Sequence, residues 1–375
     1  MTFDASPEQH MLREALQSYL GAAYDLEKRR RIVQSSQGWS MEVWRSFSTD
    51  LGILGLGFAP EWGGVGGDGV DQIPVMEALG QSLVVEPYLE TVILCGSLLQ
   101  IAGTAQSQEL AAAVIAGEAR LALAYQETPA FKRGRISTTA TRTGEAWRIT
   151  GAKSVVAGGA WATHILVVAR LGDGDDLGLF VVEQGQVGLD MIVYPTLDGR
   201  RACDLTFDVR LPATALLLDQ GVQEALDFAL DRATAATCAE AVGIMRRLLG
   251  ETHAYTSERR QFGAPLATFQ ALQHRMADML VALELSSGHA YHAANLLDAP
   301  SAERSTAVSA AKLFVGKAAH RMGQAAVQLH GGMGMTDELV IGHLFKRAVA
   351  IEAQYGSSAY HLQRYRRVSA ERALQ

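Results

Sequence analysis

The sequence predicts an α+β chain in which a helical block, a block of antiparallel β-structure and a second helical block follow one another. Three observations carry this. Apolar residues recur at helical spacing from residue 6 to about 117. The period shortens to two between about Leu121 and Leu218. From about Val222 to the end the pattern is helical again and nearly free of proline. Helices, then strands, then helices is not the alternating order of a doubly wound parallel sheet, so a dinucleotide fold of that type is disfavoured. The boundaries fall at 1–119, 120–219 and 220–375.

The first block opens on Ser6-Pro7-Glu8-Gln9, which reads as a capping box. Ser6 can accept from the Gln9 N–H, Pro7 suits the first helical position, and Gln9 can reach back. Met11, Leu12, Leu16, Tyr19 and Leu20 continue at helical spacing. Trp62-Gly63-Gly64-Val65-Gly66-Gly67 holds too much glycine for a regular element and reads as a loop. In the middle block Leu205, Phe207, Val209 and Leu211 alternate with Thr206, Asp208 and Arg210, a strand with one buried face. Trp147–Thr150 alternates likewise, and His164–Val168 and Leu179–Val182 are short apolar runs between Gly and Asp. The last block begins with Ala225, Phe228, Ala229 and Ala233 and reads as four or five Ala- and Leu-rich helices.

Composition narrows the function classes. The 375 residues carry 33 basic and 40 acidic side chains, a net charge of −7, which gives no electrostatic reason to expect nucleic acid or an anionic membrane as partner. No apolar run reaches about 18 residues, so no membrane span is expected. The polar N-terminal MTFDASPEQH lacks a secretory pattern. Cys95, Cys203 and Cys238 are scattered and odd in number, which fits buried thiols in a reducing, cytoplasmic setting.

Several chemistries are missing: no Gly-x-Ser-x-Gly elbow, His-Glu-x-x-His, P-loop or Cys-x-x-Cys is present, and the ten histidines form no metal-ligand cluster. Two segments of the last block stand out. In Ser257-Glu258-Arg259-Arg260-Gln261-Phe262-Gly263-Ala264-Pro265 a helix ends in paired arginines before a turn, and Phe269-Gln270 opens a new helix. Arginines there can grip phosphate with fork geometry, or simply cap carbonyls. In Gln328-Leu329-His330-Gly331-Gly332-Met333-Gly334-Met335-Thr336 a helix runs into glycines whose exposed N–H groups can approach a ligand, or which only end the helix.

Together, in this order and separation, the two segments resemble the acyl-CoA dehydrogenase family. The likeness covers nearly the whole chain, including Leu51–Leu56 and the Pro60–Gly64 loop. It implies an N-terminal helical domain, a middle antiparallel β-barrel and a C-terminal four-helix bundle. It implies FAD as cofactor and an acyl-CoA thioester as substrate, with a carboxylate taking the α proton and the flavin the β hydride. It also implies a tetramer in which one chain donates the pyrophosphate and adenosine contacts to the flavin of its neighbour. Arg259, Gln261, Phe262, Gln270, Gln328, Gly331 and Gly332 match those donating positions. An electron-transfer flavoprotein is the implied acceptor.

The chain departs from the family pattern around the flavin ring. Where members carry Thr-Glu-Pro-x-x-Gly-Ser-Asp, this chain has Tyr125-Gln126-Glu127-Thr128-Pro129-Ala130-Phe131-Lys132, so Glu127 survives and Gly-Ser-Asp does not. In Lys153–Gly159, Val155 takes the place of a stacking Trp and Ala157 that of a Thr bonded to flavin N5. Tyr355, in Tyr355-Gly356-Ser357-Ser358, stands where many members carry the basic glutamate, and a phenol near pKa 10 is a poor base at neutral pH. Another branch places its glutamate on the first helix of the last block, directly before an arginine. Asp231 before Arg232 matches that position on a shorter stem, and Glu352, one residue short of a helical turn before Tyr355, is a further candidate base. An altered ring site beside an intact donated cradle favours one subunit of a heteromeric, steroid-CoA-type enzyme. A homotetramer using Asp231 as base is the alternative, and a non-catalytic structural partner a third reading.

Overall fold

The computed structural model describes residues 6–131 and 136–373. Lys132 and the first five residues of the polar N-terminus lie outside them. The chain divides into two compact units, one from Met1–Arg30, Gly69–Val84 and Thr234–Gln375, the other from Arg31–Asp68 and Val85–Ala233.

The first unit is helical. α1 (Pro7–Ala23) starts with the expected capping box, Gln9 N–H donating to Ser6 Oγ at 3.2 Å and Ser6 N–H to Gln9 Oε1 at 3.1 Å. Leu16 and Leu20 are buried, whereas Met11 is 62% exposed, because it lies outside the narrow stripe that α1 packs inward. α2 (Leu26–Gln34) and α3 (Met41–Thr49) lead into the second unit, and α4 (Gln72–Ser82) returns to the first. Residues after 95 form α5 (Gly96–Ala102) and α6 (Ala105–Ile115), preceded by a π-helical stretch at Leu89–Cys95.

The last block contains α7 (Val222–Glu258), α8 (Gln270–Asn295), α9 (Ser301–His330), α10 (Val340–Ala353) and α11 (Ser358–Ala373), the upper number the periodicity allowed. Their shared core is Ala- and Leu-rich, from Cys238 and Met245 on α7 to Leu344 and Ile351 on α10. Small residues let the helices approach closely. A Cβ added to Gly243 of α7 would sit 2.0 Å from the Glu77 carbonyl oxygen of α4, and one on Gly80 of α4 would sit 2.2 Å from that of Glu240. At the same crossing Arg347 donates to both carboxylate oxygens of Glu240 at 2.7 Å, and both side chains are buried.

The second unit holds β1 (Leu121–Ala124), β2 (Thr139–Thr143), β3 (Ala146–Ala157), β4 (His164–Leu171), β5 (Leu177–Glu183), β6 (Leu189–Pro195), β7 (Arg201–Pro212) and β8 (Leu216–Leu218). They make one eight-stranded sheet in the order β6-β7-β3-β2-β4-β5-β8, with β1 also paired to β4. The alternation in β7 has the predicted sense: Leu205, Phe207, Val209 and Leu211 are buried. One expectation is corrected. The block is not wholly antiparallel, because β1 and β2 both run parallel to β4, β1 along His164–Val167 and β2 at Arg170–Leu171. Side-chain alternation specifies which face is buried and is blind to strand direction, so two short strands sharing one edge were not legible.

Candidate active site and cofactor cradle

α7 closes at Glu258, and Arg260-Gln261 and Ala264-Pro265 form the short strands β9 and β10 of a hairpin. Phe262 and Gly263 turn it, with φ of 54° and 81°. Two positive φ values in a two-residue loop match the right-handed twist of the flanking strands, and a glycine at the second position makes that turn accessible. The phenylalanine at the first is 91% exposed, its ring edge-on to Phe269 at 6.2 Å. Gln270 then opens α8, and Arg259, Gln261 and Gln270 all face outward.

The second segment ends α9. Gly331 has φ 61° and donates its N–H to the Gln328 carbonyl, and Gln328, Gly331 and Gly332 are exposed. A Cβ on either glycine would meet nothing within 4 Å. Tyr255, one helical turn before Arg259, stacks on His330 with ring centroids 4.4 Å apart, and its hydroxyl donates to the His330 carbonyl at 3.5 Å. The paired-arginine hairpin and the glycine hinge are thus held side by side in one unit. The seven cradle residues present side chains and open backbone outward, and their donors are of the type a diphosphate and its flanking hydroxyls accept, so the arrangement fits the nucleotide end of FAD.

Asp231 sits on the part of α7 that belongs to the second unit and is 1% exposed. In the same unit Glu127 is fully engaged. It accepts from Ser137 N–H (2.7 Å), Thr138 N–H (2.8 Å), Thr138 Oγ1 (2.7 Å) and Lys153 Nζ (2.8 Å). Burial pushes the Glu127 carboxyl up, but the Lys153 ammonium and the Thr138 donors outweigh it and hold the pKa at about 2. Lys153 is completely buried, and that burial pulls its pKa down to about 8 against the opposing carboxylate. Glu127 therefore fastens the second half of β3 to the segment just before β2.

Two residues later β3 bulges against β7, and Val155 takes φ 54°. A β-branched residue there is an outlier that needs support. Asp204 supplies it, accepting from Val155 N–H at 2.9 Å and from the Tyr194 hydroxyl at 2.8 Å. This stretch of β3 therefore keeps a specific backbone shape around Val155. In the first unit Tyr355 is buried at φ 57°, and Glu352 accepts from the Ser358 N–H at 2.9 Å, capping α11. That capping role was not legible in the sequence, where Glu352 read as a candidate base. Among the described residues no group of His, Cys, Asp and Glu is arranged to hold a metal ion.

Comparison with known proteins agrees with this geometry. Models of the N-terminal, middle and C-terminal domains of acyl-CoA dehydrogenase match residues 6–118, 130–209 and 219–369. The chain belongs to the acyl-CoA dehydrogenase family. It is 30% identical over 371 residues to acyl-CoA dehydrogenase FadE12 of Mycobacterium tuberculosis, covering 92% of each protein. Among solved structures it resembles a Tcur3481-Tcur3483 steroid acyl-CoA dehydrogenase variant, with a TM-score of 0.87 and 28% identity over 98% of this chain and 99% of that one. It likewise resembles the ChsE4-ChsE5 complex of Mycobacterium tuberculosis, with a TM-score of 0.88 and 26% identity over 99% of each chain. Family membership makes the chain an oxidoreductase of the FAD-dependent, acyl-CoA dehydrogenase class.

Proposed function

We propose that this chain takes part in the α,β-dehydrogenation of an acyl-CoA thioester as one subunit of a hetero-oligomer, to which it contributes the nucleotide cradle of a partner's FAD. The observation that carries this is the asymmetry between two stretches. The segments read as donated, Arg259 to Gln270 and Gln328 to Gly332, lie next to each other and keep Arg259, Gln261, Phe262, Gln270, Gln328, Gly331 and Gly332 exposed, while Val155, Ala157 and Tyr355 stand where the groups serving this chain's own flavin ring would be.

Arg259 would neutralise the pyrophosphate with fork geometry, Gln261, Gln270 and Gln328 would bond to it and to the adenosine hydroxyls, Phe262 would lie against the nucleotide, and Gly331-Gly332 would let backbone close on it. Bound FAD supplies the hydride acceptor. Exposed apolar groups support assembly: Leu280, Val281 and Leu285 on α8 are each about half exposed, and α8, α9 and α11 line a groove of about 880 Å³. Two of the similar solved structures are described by two-protein names, which supports a homologous second chain as partner. By the same analogy the acyl group is a bulky steroid-like one, and an electron-transfer flavoprotein takes the electrons. All three cysteines are buried and unpaired, which suits a cytoplasmic protein.

A second reading has its own observation. Asp231 is a carboxylate at 1% exposure on α7, at a position where some relatives carry a base, so a homomeric enzyme using it is the competing account. Expression of the chain alone and with a homologous neighbour separates them. The proposal expects stable, stoichiometric flavin only on co-expression. A yellow homomer that an acyl-CoA bleaches would refute it.

A further inference from the structure

α10 ends at Ala353 and α11 begins at Ser358, and between them Tyr355 and Gly356 are consecutive left-handed residues at φ 57° and 110°. A tyrosine in that region is strained, and such strain persists only where the surroundings over-determine it. Here they do. Every carbonyl oxygen from 352 to 356 is bonded. Lys312 Nζ, on α9, donates to those of Glu352 (3.4 Å), Gln354 and Gly356 (2.9 Å). Gly356 N–H donates to that of Ala353 at 3.3 Å, and His361 Nε2 to that of Tyr355 at 3.1 Å, while His361 Nδ1 lies 3.4 Å from Ser309 Oγ.

Lys312 and His361 are each 1% exposed. A buried ammonium is costly unless it is well paired, and this one faces the carbonyl end of α10, where the helix dipole favours a cation. Arg347 fixes the same turn from another side, donating to Gln354 Oε1 at 3.2 Å from its pair with Glu240. The scaffold is more elaborate than a helix-to-helix connection needs, and the residue it holds in the left-handed region is the buried Tyr355.

We propose that Lys312, supported by His361, is the positioning residue of the 352–356 turn, holding residue 355 in the orientation in which the family presents its base. This rests on the reading that Tyr355 occupies that position. The turn is then a preformed display that holds its shape whichever side chain is carried at 355, and Lys312 acts on residue 355 through it.

The test uses the FAD-loaded assembly. Hydrogen exchange at the Gly356 and His361 amides is compared in the unaltered chain, Lys312→Met and Lys312→Arg. The proposal expects those amides to exchange about tenfold faster or more in Lys312→Met, with Lys312→Arg between and the centre of α9 unchanged. Unchanged protection of the turn overturns it. Should Lys312→Met fail to assemble, Lys312→Arg and His361→Asn carry the same comparison.

A second arm asks whether the display works. Tyr355→Glu is given octanoyl-CoA in deuterated buffer, and α-proton exchange is followed by mass spectrometry. We expect exchange above the level of the unaltered assembly, with that increment falling about 100-fold at unchanged half-saturation when Lys312→Met is added and recovering in part with Lys312→Arg. A simple loss of folded protein would lower the amplitude for both equally. Binding of octanoyl-CoA with no exchange beyond that of the unaltered assembly in Tyr355→Glu contradicts the proposal. Failure to bind it contradicts the acyl-CoA reading instead, and the amide arm then decides the role of Lys312.

Discussion

Replacing Glu127 by Gln is the most revealing perturbation of the middle unit. Lys153 has no exposed side-chain area and donates to Glu127 Oε1 at 2.8 Å and to the Tyr125 carbonyl at 3.3 Å. The substitution keeps the size and most acceptors but leaves the ammonium facing a neutral amide. Removing one member of a buried pair costs about 3–5 kcal/mol. The lysine can instead shed its proton, which from its ordinary pKa of 10.5 costs about 5 kcal/mol at pH 7, so the two estimates meet. The loss should therefore be about 3–5 kcal/mol at pH 7 and should shrink by roughly 1.4 kcal/mol per unit as the pH is raised toward 9 and deprotonation becomes easier. Urea unfolding followed by the fluorescence of Trp147 and Trp161, both in this unit, reads it. The double variant Glu127→Gln with Lys153→Met, which removes the ammonium and keeps an acceptor for the Thr138 donors, should recover most of that loss. A loss below about 1 kcal/mol in Glu127→Gln at pH 7 would show that the pair does not fasten the strand as described.

Other consequences are as direct. Because the Glu127 carboxyl titrates at about 2 when folded and near 4.5 when unfolded, its contribution is complete above pH 4.5 and is lost as the pH falls from there toward 2; a urea midpoint that does not fall between pH 5 and 3 would contradict this. Gly243→Ala gains about 1 kcal/mol of helix propensity, yet its Cβ would sit 2.0 Å from the Glu77 carbonyl oxygen, and overpacking against backbone costs about 1–3 kcal/mol or more, so the urea midpoint should drop. Asp231→Asn should leave the flavin reduction rate of the assembly within about threefold if the partner supplies the base, and should lower it about 100-fold or more if Asp231 does; stopped-flow bleaching by an acyl-CoA measures it.

What the sequence revealed follows from which physical rules are local. The capping box at Ser6, the buried face of β7 and the glycine-terminated α9 depend on near neighbours in the chain, and each was legible from spacing. Direction and partnership of strands are not local: β1 and β2 lie parallel to β4, and nothing in their four or five residues says so. The two segments proposed as the cradle could be picked out because their motifs are contiguous, but the Tyr255–His330 stack that sets them side by side joins residues 75 apart. The same holds for Lys312, an unremarked lysine in an apolar helical pattern whose partners lie 40 to 44 residues downstream. Glu127 was visible as a retained acid, yet its engagement with Lys153 and Thr138 emerged only once β3 was in place.

The central claim is that Arg259 and the neighbouring glycine hinge grip the nucleotide end of FAD. Flavin-to-polypeptide stoichiometry of the purified assembly, measured for the unaltered chain and for Arg259→Ala, tests it most directly. Loss of a charge-assisted phosphate contact of about 1.5–3 kcal/mol predicts FAD affinity weakened roughly 10- to 150-fold and flavin shed on gel filtration. Full flavin retention by a correctly assembled Arg259→Ala protein would contradict the account.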